Sequence, residues 1–509
     1  MVSTGILVAL GSISCQQRPE TPVKPNIVII LADDMGFGDV GSLNPRSRIQ
    51  TPHIDALVHK GIAFTDAHAS ASVCTPSRYG LLTGRYAFRS EAAAYGIGGF
   101  DSPVIEPGRE TLASALRKSG YTTACIGKWH LGLDWAVKGD SGVVRFDPVS
   151  GRSNVDYTRE VRRGPNDYGF DYSFIHPASL DIPPYVFLRN HRVVDPEIVL
   201  TTDLYPLRLE NTVYAWDKKH TNDQAVYWEK GVWWRQGEMS ASFRVEKCQE
   251  EIVREGLAFI GRQVKTDPQS PFFLYLPLTG THTPWVPSER FRGKSEIGLY
   301  GDFVMEIDDI VGQVIQTLKD HGVFGHTILV FASDNGAYWP PEEVELHRHD
   351  SNEGRRGQKG DIHEGGHRIP LVISWPDKMG DPLVYEGLVS LTDMMATLME
   401  LAGEPEDGMP GEDSNSFAPV ITGSPGFTVR EHMVHHSSRG VFAVREGEWK
   451  YIDGLGSGGF TQPAIGKPEP GGATGQLYHL ESDSLEQHNL FVTRPEQAER
   501  LKGWLESVK

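Results

Sequence analysis

Cysteine, positive charge and long apolar runs are all scarce in this chain. Cysteine occupies only positions 15, 74, 125 and 248, too few and too scattered for a disulfide framework or a zinc knuckle. Acidic residues number 67 against 49 Lys and Arg, for a formal net charge of −18 and a pI near 5.5. A nucleic-acid binder would carry a basic footprint, so the charge argues against nucleic acid as a partner. An anionic ligand would also be repelled at long range, and cations would have to cluster wherever it binds. The apolar run near the start, Gly5-Ile6-Leu7-Val8-Ala9-Leu10, falls well short of the ~20 residues of a membrane-spanning helix.

Small residues follow that run up to Cys15, then Gln16-Gln17-Arg18-Pro19. This is similar to the end of a bacterial lipoprotein leader with Cys15 as the lipidated residue, although no basic residue precedes the run. Residues 1–22 are therefore expected to be a leader and linker, on a protein that is exported, periplasmic or lipid-anchored at the cell surface. A chain of 509 residues exceeds one comfortable core, so a large domain with a smaller one is expected.

Four apolar runs end in polar tips. Asn26-Ile27-Val28-Ile29-Ile30-Leu31-Ala32 is the continuous β-branched run of a strand buried on both faces, and it ends in Asp33-Asp34. Thr122-Thr123-Ala124-Cys125-Ile126 leads into Gly127-Lys128-Trp129-His130. Pro271 to Leu278 leads into Thr281-His282-Thr283-Pro284, and Thr327 to Ser333 into Asp334-Asn335-Gly336. Helical spacing over 109–119, 243–263 and 295–321 separates these runs, which predicts α/β architecture: a large, mostly parallel sheet with helices on both faces. Ligands of such sheets sit beyond the carboxyl ends of the strands, so the four tips should converge. Asp33, Asp34, Asp334 and Asn335 offer the oxygen ligands that calcium or magnesium prefers. Lys128, His130, His282 and Arg78 offer cations and proton-transfer groups, and Lys359 joins them from the glycine-rich stretch Gly357 to Pro370. Asp334, among other carboxylates, is expected mainly to repel them, so its loss should cost the metal-free fold little.

Cys74-Thr75-Pro76-Ser77-Arg78, followed by Leu81-Leu82-Thr83-Gly84-Arg85, reads as a short helix with Cys74 at its positive N-terminal mouth and Gly84 as its stop. The stretch resembles the signature of the formylglycine-dependent sulfatases, in which that cysteine is oxidised to an aldehyde. The resemblance extends over nearly the whole chain from Pro25 to about Leu490. It implies an alkaline-phosphatase-like fold and sulfate-ester hydrolysis, with a Ca2+ (or Mg2+) ion held by Asp33, Asp34, Cys74, Asp334 and Asn335. The catalytic set it implies is Cys74, Arg78, Lys128, His130, His282 and Lys359: a hydrated aldehyde at residue 74 as nucleophile, Arg78 beside it, Lys128 and Lys359 on the sulfate oxygens, His282 as general acid and His130 as base. It also implies a maturation partner, either a formylglycine-generating or an anaerobic sulfatase-maturing enzyme. The sequence departs from the pattern at His363, where aromatic residues are frequent.

For the substrate, the run His347 to Asn352 adds His349 and Asp350, and His363 lies on the rim by position. Residues 134–240 do not fit the strand rhythm and are expected to be a substrate-side insertion, with Trp228, Trp233 and Trp234 as candidate sugar-stacking faces. The segments from Cys74 to Arg89 and Pro183 to Phe187 are similar to exported bacterial sulfatases of galacto-configured glycans, which suggests a 6-sulfate. The catalytic domain is expected over 23–415, with a helix over 391–402. A C-terminal subdomain is expected over 416–509, with a small antiparallel sheet, a helix at 494–508, and His435 and His436 within reach of the pocket mouth. Alternatives are a phosphodiester or phosphonate hydrolase of the same superfamily and, if Cys74 stays a thiol, a catalytically dead glycan-binding protein.

Overall fold

The seven residues Asn26–Ala32 are all buried, and this strand lies at the centre of a ten-stranded sheet. A computed structural model describes residues 24–139, 142–204, 235–404, 410–424 and 426–509; Cys15 with the leader, and Trp228, Trp233 and Trp234, lie outside them. The Asn26–Ala32 strand pairs in parallel with Phe272–Pro277 on one side and Thr327–Ser333 on the other. Thr122–Lys128 and then Tyr172–His176 extend the parallel block. Beyond Thr327–Ser333, Leu371–Ser374 runs antiparallel and is followed by the short strands Ile62–Phe64 and Leu383–Tyr385.

Side chains alternate across each central strand, so both faces must be covered. Ile27, Ile29, Leu31, Phe273, Tyr275, Ile328 and Val330 face a core shared with Leu81 and Leu82 of the Cys74–Thr83 helix and with Met394 and Leu398 of Met394–Leu401. Val28, Ile30, Leu274, Leu276, Leu329 and Phe331 face the other way, against Cys248–Thr266 and Gly298–Asp320. Each fully buried aliphatic side chain stabilises the fold by about 1.5–3 kcal/mol.

The strands and helices expected from the four runs are present, with ends shifted by a few residues. The 134–240 segment does not stay outside the sheet as expected, because Tyr172–His176 inside it is the fifth parallel strand. A separate antiparallel sheet joins His432–His436, Phe442–Glu446, Trp449–Ile452 and Gln476–His479. The Pro495–Val508 helix packs Ala498, Leu501 and Leu505 on Val444, Tyr451 and Leu477. Among the described residues no helix is long and apolar enough to cross a membrane.

Candidate active site

The carboxyl ends of the parallel strands converge as their order requires. Two glycines permit the approach. A Cβ on Gly127 would lie 1.8 Å from the Pro277 carbonyl oxygen, and one on Gly336 would lie 1.9 Å from that of Gly365. Asp34 (φ 65) and His130 (φ 53) both hold the left-handed backbone conformation that non-glycine residues rarely adopt, a strain that packing must sustain.

The Cys74–Thr83 helix places its first residue at this junction and ends on Gly84, whose φ of 62 is left-handed and whose N–H donates to Gly80 O. Pro76 falls in the first turn, where its missing N–H would have no intrahelical partner anyway. Cys74 Sγ lies 3.5 Å from Asp33 Oδ1. Arg78, one turn on, donates through Nε to Asp334 Oδ2 at 2.9 Å and through NH1 to Lys128 O at 2.9 Å.

Each carboxylate of the site is held by a buried cation or an N–H. Lys128 Nζ bonds both Asp33 oxygens, at 2.7 and 2.8 Å. Lys359 Nζ is 2.7 Å from Asp34 Oδ2, and Asn335 Nδ2 donates to Asp34 Oδ1 at 2.7 Å. Asp334 Oδ1 accepts from the Asp34 N–H at 3.2 Å. The cations therefore gather here against the overall negative charge, as an anionic ligand requires. Burial alone would raise the Asp33 carboxyl, but Lys128, with His282 and Arg78, outweighs it and holds the group below its ordinary range. Burial, with Asp334, pushes the Cys74 thiol far above the usual thiol range, so the unmodified sulfur is protonated and a poor nucleophile.

Each of the two histidines has one ring nitrogen committed to a backbone carbonyl. His282 donates from Nδ1 to the Thr283 carbonyl at 2.7 Å, which turns Nε2 toward Asp34 Oδ2 at 3.8 Å. His130 donates from Nε2 to Ile97 O at 2.9 Å, and its buried Nδ1 has no hydrogen-bond partner. Burial, then the nearby Lys128, depresses its pKa well below the usual imidazole range, so His130 is neutral at pH 7 with a free lone pair.

A cavity of about 360 Å³ opens onto Cys74, His130, His282 and Lys359. Its wall includes Asp181, which sequence reasoning missed because nothing around Ser179-Leu180-Asp181 marks it. Asp181 Oδ1 is buried without a hydrogen-bond partner and lies 3.5 Å from His282 Nδ1, while Oδ2 lies 3.7 Å from Arg235.

Three residues expected at the substrate lie elsewhere. His349 is buried, with Nε2 on Asp39 Oδ1 at 2.9 Å and Nδ1 accepting from the Arg48 N–H at 3.3 Å. Asp350 faces a different cavity beside Trp339 and Arg355. His363 is sealed beneath the C-terminal sheet, 3.1 Å from Gln476 Oε1. His435 and His436 are likewise buried and do not line the catalytic cavity.

The residues also suit a hard divalent cation. Asn335 Oδ1 is buried and has no hydrogen-bond partner, and it joins Asp33, Asp34 and Asp334 in an all-oxygen donor set. Asp33, Asp34, Cys74 and His282 each present a ligand atom within 4.8 Å of the others.

Comparison with known proteins agrees with this geometry. Residues 25–404 match the family described as Sulfatase, and the chain belongs to that family. It is 33% identical to the N-acetylgalactosamine-6-O-sulfatase of Bacteroides thetaiotaomicron, over 96% of this chain and 93% of that protein. It is 31% identical to bovine arylsulfatase A, over 84% of this chain and 74% of that protein. A solved structure from Bacteroides thetaiotaomicron, described within its metabolism of multiple glycosaminoglycans, superposes with a TM-score of 0.77. It is 31% identical and covers 96% of this chain and 99% of its own. The phosphonate monoester hydrolase of Agrobacterium radiobacter, at TM-score 0.56 and 17% identity over 95% of each chain, shares the fold alone. The fold is alkaline-phosphatase-like, and the protein is a sulfatase, a hydrolase of sulfate esters.

Proposed function

We propose that the substrate is a sulfated carbohydrate, with sulfate removed from the 6-position of a galacto-configured sugar such as N-acetylgalactosamine. What carries this reading is the pairing of three buried cations around Cys74 with Asp181 on the cavity wall. The cations suit the sulfate, and Asp181 Oδ1, which accepts no hydrogen bond although His282 Nδ1 lies 3.5 Å away, suits a sugar hydroxyl, since a buried acceptor without a hydrogen bond costs about 1–3 kcal/mol. The similarity to an N-acetylgalactosamine-6-O-sulfatase supports the choice of sugar.

Asp33, Asp34, Asp334 and Asn335, with residue 74, would hold a divalent cation; the oxygen set favours calcium, with magnesium the alternative. The cation supplies Lewis-acid polarisation of sulfate oxygens, and a formylglycine made from Cys74 supplies, once hydrated, an oxygen nucleophile in place of the thiol. Lys128 and Lys359 neutralise charge on the sulfate oxygens as it shifts during the reaction. Arg78 orients residue 74 and the Asp334 carboxylate. Carrying both ring protons, with Nδ1–H held on Thr283 O, His282 gives its Nε2 proton to the departing sugar oxygen and is left as the Nδ1–H imidazole. His130, neutral and with Nδ1 free, takes a proton at residue 74 when sulfate is expelled. A maturation enzyme is the implied partner, and an exported location agrees with the leader expected before residue 24.

Sulfate release should be measured on a panel of 3-, 4- and 6-sulfated galactose, N-acetylgalactosamine and N-acetylglucosamine. Turnover concentrated on the galacto-configured 6-sulfates supports the reading, and Asp181→Ala should then erode the preference over the gluco-configured sugar. Equal turnover across the panel, or release from aryl sulfates alone, would overturn it.

A further inference from the structure

A second cavity of about 600 Å³ opens beside the catalytic one and shares Tyr338 and Phe460 with it. These two rings meet edge to face at 6.3 Å and 76°, forming the wall common to both spaces. Gln358, Arg439, Thr461 and Gln462 also line the second cavity. An aromatic wall with a few amide and hydroxyl groups is the composition of a sugar-binding cleft.

Two groups in this cavity have uncommitted hydrogen-bonding or charge capacity. Gln358 is 6% exposed, and its Nε2 donates to Thr461 Oγ1 at 3.4 Å. Its buried Oε1 has no hydrogen-bond partner and suits a hydroxyl donor from outside the chain. Arg439 is exposed, and the backbone around it is fixed, since its N–H donates to Gly458 O at 3.1 Å. No acidic side chain pairs with its guanidinium among the described residues. In a chain of net charge −18, such an arginine at a groove joined to the active site is a local exception. Glu342 also lines the cavity and would repel an anion, so an anion there must lie against Arg439.

We propose that this second cavity binds the sugar next to the sulfated one, and that Arg439 pairs with an anionic group on that neighbour, either a uronate carboxylate or a second sulfate. The proposal rests on the carbohydrate reading above and extends it: the preferred substrate is the end of an acidic saccharide chain. A guanidinium also matches carboxylate and sulfate oxygens in planar, two-point fashion.

The test uses the full-length, matured enzyme and four substrates: 6-sulfated N-acetylgalactosamine alone, and the same sugar linked through its anomeric carbon to a neutral hexose, to a uronate, or to a second sulfated sugar. At low salt, kcat/KM for a substrate with an acidic neighbour should exceed that for the monosaccharide roughly two- to fivefold, as one charge pair at an exposed arginine allows. Which acidic arm gains identifies the group. Arg439→Ala should remove the charge-dependent gain and leave the monosaccharide rate unchanged, and added salt should shrink the gain in the wild type. Equal kcat/KM on all four substrates overturns the proposal, as does an Arg439→Ala variant that keeps the gain or lowers all four rates alike. If aryl sulfate is hydrolysed but no saccharide is, the carbohydrate reading fails and this proposal fails with it.

Discussion

Replacing His282 by alanine separates proton donation from sulfate binding. His282 is 7% exposed at the cavity, its Nδ1 proton is fixed on Thr283 O at 2.7 Å, and Nε2 is the only ring atom left to serve a leaving oxygen. A sugar alkoxide is a poor leaving group and needs that proton in the transition state, whereas a nitrophenolate leaves without it. General acid catalysis contributes about 10²–10⁴-fold, or roughly 3–5 kcal/mol. His282→Ala should therefore lower kcat/KM on a sugar 6-sulfate by two to four orders of magnitude, in line with that range, and on nitrophenyl sulfate by less than about tenfold. Both constants are read from released sulfate and nitrophenolate, with the two esters compared on one enzyme preparation. The fold should survive, because the side chain lost makes one backbone hydrogen bond and lies at a cavity edge. Equal losses on the two esters would refute the general-acid role and leave His282 as a sulfate-binding group.

Asp334→Ala should destabilise the metal-free protein by about 1–3 kcal/mol, seen as a lower urea midpoint, because it removes the nearer carboxylate partner of the buried Arg78, 2.8 Å away, and leaves Asp33 at 3.6 Å; an unchanged midpoint would contradict the pairing. Thorough chelation should abolish sulfate release, and calcium or magnesium should restore it; full activity after chelation would remove the metal from the account. Burial holds His436 neutral with a pKa lowered from 6.5 to about 4. The unfolded chain binds its proton first as pH falls, so stability is full above pH 6.5 and declines between 6.5 and 4, by up to about 3 kcal/mol from this group. His436→Phe keeps a ring beside Phe88 and Phe442, and urea titrations at pH 7 and 5 should show a smaller acid-side loss than in the wild type.

The central strands were legible because each needs apolar residues on both faces and then breaks abruptly into polar residues. Asn26 to Ala32 followed by Asp33-Asp34 gives a buried strand, its end and a pair of carboxylates together, and Thr327 to Ser333 before Asp334-Asn335 likewise gives a buried strand, its end and polar oxygen donors. Tyr172–His176 was not legible as a sheet strand, because Tyr, Ser and His interrupt its apolar run, and its place is set by pairing with Thr122–Lys128 on one side and Leu188–Arg189 on the other. The antiparallel direction of Leu371–Ser374 is set by its pairing with Thr327–Ser333, which no local pattern encodes. Asp334 was expected to repel its neighbours; Arg78 lies 256 residues away in sequence and closes an ion pair that no local pattern reveals. The polar run around His349 reads as substrate-facing, but Asp39 draws the imidazole inward. Asp181 has no marker in sequence and acquires meaning only from the three-dimensional proximity of His282 and Arg235.

Residue 74 itself is the most direct point of test. The buried thiol is held protonated and is unsuited to attack sulfur, so the account requires that active enzyme carry an aldehyde there. Peptide mass spectrometry across Ser72 to Arg78, on protein from its native host that is denatured and then treated with iodoacetamide, should find residue 74 unalkylated and converted to formylglycine, in proportion to the specific activity of each preparation. An intact, alkylated cysteine in fully active enzyme would contradict the account.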